Sequence, residues 1–199
     1  GRDATRAHDW LRLASLLDED PPELQASIRL ALEDPGAYRD LHADDLHVGS
    51  AGEETAGEQT TGEETAGEEG DITPPTQDLW TVLLDGLDES SALAYLDVED
   101  TGCELVDALV GVRRAVDCGA CFEDVSDVDD LFSAIHRAEQ LLGEHGLRLL
   151  QLEEDDDEAI PPLVVVPQES VPDILALAGA TRARRDGLRV RIPRDRRSP

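Results

Sequence analysis

Two cysteines in a CxxC motif, Cys118 and Cys121, are the clearest candidates for chemistry in this sequence. Their spacing allows both thiolates to bind one zinc ion, or one thiol to be activated beside the other. A structural zinc site needs four ligands, and Cys103, His136 and His145 stand at no standard ligand spacing from the motif. The three cysteines are therefore weak candidates for a metal site. We expect Cys118 and Cys121 to be structural residues in a turn after a helix, with a redox pair as the other alternative.

The run Glu153–Glu158 consists of six consecutive carboxylates. Carboxylate oxygens suit calcium, but an EF-hand loop needs alternating acids, a glycine at its sixth position and a glutamate at its twelfth. We therefore interpret the run as a solvated hairpin loop, with weak binding of divalent cations as the alternative.

The sequence contains no recognised catalytic motif. A nucleophile elbow, a phosphate-binding loop, a dinucleotide fingerprint and a zinc-protease motif are all absent. The five histidines are scattered, and paired carboxylates cannot be selected by spacing among 46 acidic residues. We therefore predict no catalytic residue and no cofactor.

The elements that would position these side chains begin with a helical segment at residues 1–47. Apolar residues recur at helical spacing over Trp10–Leu17 and over Pro22–Glu33. We expect this segment to pack on the main domain, which the sequence places at residues 77–193.

The main domain is predicted to be α+β. Thr101 and Glu104 have the spacing of a capping box, and Ser126 with Asp129 indicates the start of the next helix. The predicted strands are 93–96, 147–152, 163–166 and 188–192. The order strand, helices, two strands, helix, strand predicts a small mixed or antiparallel sheet with helices on one face, in the ferredoxin-like βαββαβ order.

A five-residue repeat, AGEET and its variants, occupies residues 51–70 in four copies without one large apolar side chain. Glycine and repulsion among the glutamates oppose a helix. We predict that residues 48–76 are a disordered acidic linker. An interaction segment for a basic partner is the alternative.

The charge balance limits the partners that this chain can bind. Its 199 residues include 46 acids and 17 arginines, a formal net charge of -29. Such a field disfavours nucleic acid and anionic membranes. No apolar run reaches the roughly 18 residues of a membrane span. Three cysteines without an export signal favour a reducing compartment, so we expect a cytoplasmic protein.

The C-terminus reverses this charge. Residues 182–199 contain eight arginines and two aspartates, and 194–199 form a basic tail. Without interleaved aromatic residues, we expect these arginines to neutralise acids of their own domain and to cover a strand edge. Binding to nucleic acid or to an acidic protein are the alternatives.

Four segments together resemble an uncharacterised bacterial family known only as a domain of unknown function, whose members are short acidic α+β proteins. The segments are LEDPGAYRDLHADDL (32–46), LWTVLLDGLDES (79–90), LAYLDVED (93–100) and HGLRLLQLEEDDDEAIPPLVVVP (145–167). The resemblance covers about 10–180 without the repeat, and it implies no established activity.

The sequence therefore predicts a non-catalytic intracellular binding or accessory protein that engages a basic protein surface. An enzyme of unknown class and an acidic mimic of nucleic acid are the alternatives. The mimic would need carboxylates at phosphate spacing, and the enzyme would need a pocket with convergent polar groups. The oligomeric state is not predicted.

Overall fold

The computed structural model describes residues 2–19, 21–42, 79–153, 160–182 and 189–191. The helices in these ranges are α1 (Arg2–Leu17), α2 (Pro22–Glu33), α3 (Pro35–Leu41), α4 (Leu79–Glu89), α5 (Gly102–Leu109), α6 (Arg113–Asp117), α7 (Glu123–Ser126), α8 (Leu131–Glu144) and α9 (Val171–Arg182). The strands are β1 (Leu93–Ala94), β2 (Leu147–Glu153), β3 (Leu163–Pro167) and β4 (Arg189–Arg191). The linker predicted at 48–76, the tail at 194–199 and most of the acidic run at 153–158 lie outside the described residues.

The four strands form one antiparallel sheet in the order β1-β3-β2-β4. Leu93 pairs with Val164, Leu149 pairs with Val165, and Leu152 pairs with Val190. Helices together with an antiparallel sheet confirm the predicted α+β class.

The ferredoxin-like arrangement is not confirmed. The elements from β1 onward follow the predicted order along the chain, but β4 pairs with β2. In a ferredoxin-like sheet the last strand lies beside the first. Here β1 and β4 lie at opposite edges of the sheet.

Helices cover both faces of the sheet, so the prediction of helices on one face was wrong. We call the face under α1, α2, α4 and α9 the N-terminal face, and the face under α5–α8 the central face. Alternate strand residues point to opposite faces. Leu150, Leu152, Val164 and Val166 join the core of the N-terminal face, whereas Leu149, Leu163 and Val165 join the core of the central face. An unbroken apolar run such as Leu163–Val166 needs cover on both sides.

The second cover comes from the N-terminal helices. Trp10 and Leu13 of α1 and Ile28 of α2 are completely buried in the core of the N-terminal face. Arg12 of α1 also forms an ion pair of 2.7 Å with Asp173 of α9. Helices from the two ends of the chain thus pack together on this face.

Candidate functional site

The three cysteines that were weak candidates for metal ligands lie in different environments. Cys118 is half-buried at the end of α6, where its thiol donates a hydrogen bond of 3.1 Å to the Ala115 carbonyl. Cys121 and Cys103 are exposed. All three are free thiols. Within the described ranges, no three His, Cys, Asp or Glu side chains converge as metal ligands.

The two histidines considered as further ligands are exposed. The ring of His136 lies 3.3 Å from the Gln140 amide nitrogen, one helical turn further along α8. His145 is the C-cap residue of α8. Each histidine is therefore accounted for by local helix structure.

A different feature stands out on the central face, which we call the acidic surface: the packed segments 97–107 and 123–130. These segments contain no arginine or lysine. Their carboxylates are Asp97, Glu99, Asp100, Glu104, Asp107, Glu123, Asp124, Asp127, Asp129 and Asp130. All are exposed except Asp100, which is half-buried.

Local hydrogen bonds fix the first of these segments. The Thr101 side chain accepts from the Cys103 N–H, and the Glu104 carboxylate accepts from the Thr101 N–H at 2.9 Å, which completes the predicted capping box. The Asp100 carboxylate accepts from the Asp97 N–H at 2.7 Å. The Thr101 hydroxyl and N–H lower the pKa of Glu104 below its ordinary value because they bind the charged form.

The second segment is fixed in the same way. The Asp130 carboxylate accepts from the Ser133 N–H at 2.9 Å and from its hydroxyl at 2.7 Å, so Asp130 caps α8. The start signal read at Ser126 and Asp129 was therefore misplaced, because Ser126 ends α7 and α8 begins at Leu131.

Gly102 joins the two segments. Its N–H donates to the Val128 carbonyl at 2.8 Å. A side-chain Cβ at this position would lie 1.8 Å from the Val125 carbonyl oxygen, well inside van der Waals contact. Only glycine allows α5 and α7 to approach this closely.

The acidic surface has little compensating charge. Arg137 reaches one of its members, Asp124, at 3.3 Å. Asp97, Glu99, Asp107, Glu123, Asp127 and Asp129 have no hydrogen-bonded or ion-pair partner for their carboxylates in the part of the chain that the structure describes. The surface thus presents fixed backbone, solvated carboxylates and a strong negative potential.

Sequence reasoning missed Arg114, the most buried arginine side chain in a described ion pair, at 11% exposed. Its Nη1 donates to the carbonyls of Leu16, Leu17 and Val165 at 3.2, 2.9 and 3.1 Å. It therefore binds carbonyl groups that the end of α1 leaves unpaired and ties them to β3. Burial lowers the pKa of Arg114, while Glu19 and Asp18 act in the opposite direction.

One sequence signal pointed to this residue. Between residues 92 and 136, eleven acids stand against two arginines, Arg113 and Arg114. A lone basic pair inside such an acidic stretch is unusual, but its position in the sequence does not identify what Arg114 binds. The partners of Arg114 are backbone carbonyls 51 to 98 residues away.

The fold and these surfaces define an acidic α+β protein with helices on both faces of an antiparallel sheet. Residues 9–193 match the family model of a domain of unknown function, DUF6630, so the chain belongs to that family. The predicted resemblance to a family of unknown function is thereby confirmed. Neither curated proteins nor solved structures give a match. No helix in the described part of the chain is both long and apolar enough to cross a membrane.

Proposed function

We propose that this protein is a non-catalytic binding protein that engages a basic face of another protein through the acidic surface. The observation that carries the proposal is the concentration of ten carboxylates, without one arginine or lysine, on two packed segments. A charge distribution of this kind favours encounter with cationic surfaces and repels polyanions.

Preorganisation supports the same proposal. Asp100, Glu104 and Asp130 hold the backbone through local caps, so the other carboxylates of the surface sit on fixed segments. A partner that binds a fixed surface loses less conformational entropy than one that must order a loop.

An apolar side chain lies within the acidic surface. Val98 is 67% exposed, between Asp97 and Glu99. Charge alone speeds association and gives an affinity that depends on salt. An apolar contact at the centre of an interface adds the binding free energy of buried apolar surface. We infer a partner segment with arginine or lysine residues around one apolar position.

The proposed location is the cytoplasm. Three free thiols, two of them exposed, support a reducing compartment. The proposal of a protein partner also follows from the charge of -29, which opposes binding to phosphate backbones.

The test is a co-purification from native lysate with three forms of the full chain. In the surface variant, Glu99→Gln, Asp127→Asn and Asp129→Asn remove three exposed carboxylates of the acidic surface. In the control, Glu33→Gln, Asp40→Asn and Asp88→Asn remove three exposed carboxylates from α2, α3 and α4. Both variants have the same net charge.

The expected result is a basic protein retained at low salt by the wild type and by the control, and lost from the surface variant. Retention should fall at high salt, because the screening length shrinks from about 10 Å at 0.1 M to about 3 Å at 1 M. Equal losses from both variants would mean that only net charge matters. Retention of nucleic acid instead of protein would contradict the proposal.

A further inference from the structure

A cavity of about 430 Å³ lies where α1 ends, α2 begins and α4 ends. Val165 of β3, Leu17 of α1 and Leu24 of α2 are apolar parts of its wall. This volume falls within the range of about 300 to 1,000 Å³ that is typical of small-molecule sites.

One part of the wall is cationic. Arg113 and Arg114 both line the cavity. The Nη1 atom of Arg114 donates to three backbone carbonyls, whereas Nε is buried without a hydrogen-bond partner, and Nη2 has no such partner among the described residues. Glu19 approaches the Arg114 guanidinium only to 3.9 Å, at the Nε atom. An anionic group of a ligand would therefore find an incompletely paired guanidinium.

Much of the remaining polar wall is anionic. Glu19, Glu23 and Glu89 line the cavity together with Asp18. Helix α4 also ends at the cavity, and the carbonyl end of a helix carries partial negative charge. These groups repel a ligand with several negative charges, and a ligand that is only cationic would leave the Arg114 guanidinium without an anionic partner.

We propose that this cavity binds a small zwitterion: a carboxylate and a guanidinium or ammonium group joined by a short aliphatic stem. The carboxylate accepts a hydrogen bond from Arg114 Nη2, the cationic group lies among the carboxylates of Glu19, Glu23 and Glu89, and the stem contacts the apolar wall. This site does not depend on the proposed protein partner.

The experiment is isothermal titration calorimetry on the full chain with four compounds of matched stem. 4-Guanidinobutyrate and 4-aminobutyrate carry both charges, n-butylguanidine carries only the cation, and butyrate carries only the anion. We expect saturable binding of a zwitterion, and binding of both singly charged compounds at least about tenfold weaker, since each lacks one set of charge-assisted hydrogen bonds.

Two double variants then locate the site. Glu23→Gln with Glu89→Gln removes two wall carboxylates, one from α2 and one from α4, and should weaken zwitterion binding about tenfold. Glu33→Gln with Asp88→Asn removes two exposed carboxylates from the same two helices outside the cavity and should leave binding unchanged. Circular dichroism melts establish that both variants fold.

Three results would overturn the proposal. The first is that neither zwitterion binds. The second is that n-butylguanidine or butyrate binds as tightly as the zwitterion, because one charge would then suffice. The third is that the two double variants lose affinity equally, because binding would then follow net charge rather than the cavity.

Discussion

The two faces of the sheet are held by polar contacts of very different reach along the chain. On the N-terminal face, the Arg12–Asp173 ion pair joins residues 161 apart. On the central face, the Arg148–Glu139 and Arg137–Asp124 pairs join residues 9 and 13 apart, and the caps of α5 and α8 span 3. The described ion pairs of the central face thus join residues that are near in sequence, whereas the described ion pair of the N-terminal face joins two distant segments.

This difference explains where the protein can carry uncompensated charge. Local caps and the apolar core of α5–α8 hold the central face, and six of the ten acids on its surface have no hydrogen-bonded or ion-pair partner for their carboxylates among the described residues. The helices of the N-terminal face come from distant parts of the chain, and the contacts of Arg12 and Arg114 help to hold them together. Arg114 belongs to a central-face helix but binds the end of α1, so it joins the two faces.

The largest effect is expected from a substitution of Gly102, which should disrupt the packing of the central face. Gly102→Ala places a Cβ 1.8 Å from the Val125 carbonyl oxygen, a backbone atom that cannot move aside cheaply. We expect a loss of about 3 kcal/mol or more in the free energy of unfolding, measured by urea denaturation.

Gly179→Ala is the matched control for that substitution. Gly179 lies inside α9, and a Cβ there would meet nothing within 4 Å. Higher helix propensity should make this variant more stable by about 0.5 to 1 kcal/mol. If both variants were destabilised equally, the close approach of α5 and α7 would not be what Gly102 provides.

The next largest effect is expected at Arg114, which joins the faces. Arg114→Leu removes the hydrogen-bond donor of three carbonyls, those of Leu16, Leu17 and Val165. These carbonyls are then either buried without a partner or paired only with water. We expect a loss of about 2 to 4 kcal/mol in the free energy of unfolding. Arg113→Leu removes an exposed arginine beside it and should change stability by less than about 0.5 kcal/mol. Similar losses in both variants would contradict the role of Arg114.

Arg114 also shows what the sequence could not predict. The α+β class, α2 and the capping box at Thr101 follow from periodicity and residue type, which are local properties. The partners of Arg114 are backbone carbonyls, and every residue carries one. Nothing in residue type distinguishes Leu17 or Val165 as an acceptor, so the contact emerges only when the chain is folded.

The second cover of the sheet was missed for a related reason. The predicted ferredoxin-like order leaves one sheet face to solvent, yet the run Leu163–Val166 has no polar alternation. The residues that cover this face include Trp10 and Ile28, more than 130 positions earlier in the chain. Periodicity located those helices as amphipathic but gave no information about which surface they would contact. The acidic surface was missed likewise, since among 46 acids only packing of α5 on α7 selects these ten.

A smaller effect tests how much a local cap contributes to the stability of the central face. Thr101→Ala removes the side chain that caps α5 and should cost about 1 kcal/mol in the free energy of unfolding. The same substitution should reduce the acid sensitivity of the protein. The Thr101 hydrogen bonds lower the pKa of Glu104 in the folded state, so their contribution is present above pH 4.5, the ordinary value, and is lost as the pH falls through the folded pKa.

The check is a series of urea titrations from pH 3 to pH 7 on the wild type, Thr101→Ala and Glu104→Gln. The wild type should lose more stability than either variant between pH 4.5 and the lower pKa of Glu104. Parallel curves for all three proteins would show that the capping box does not contribute to the pH dependence.

The smallest effect is expected at Tyr38, a buried tyrosine of α3, whereas the other tyrosine, Tyr95, follows β1 and is exposed. Tyr38 is 4% exposed, and burial, together with the charges of Asp85 and Glu89, raises its pKa to about 12 from 10.0. Tyr95 is 54% exposed. Because the folded state holds Tyr38 as the neutral phenol, its contribution to stability is complete below pH 10 and is lost as the pH rises toward 12. The two tyrosines are the only ones in the chain, so absorbance of the phenolate in Tyr95→Phe reports Tyr38 alone. We expect this variant to titrate near pH 12, and titration at the ordinary value of 10.0 would mean that Tyr38 is not shielded in solution.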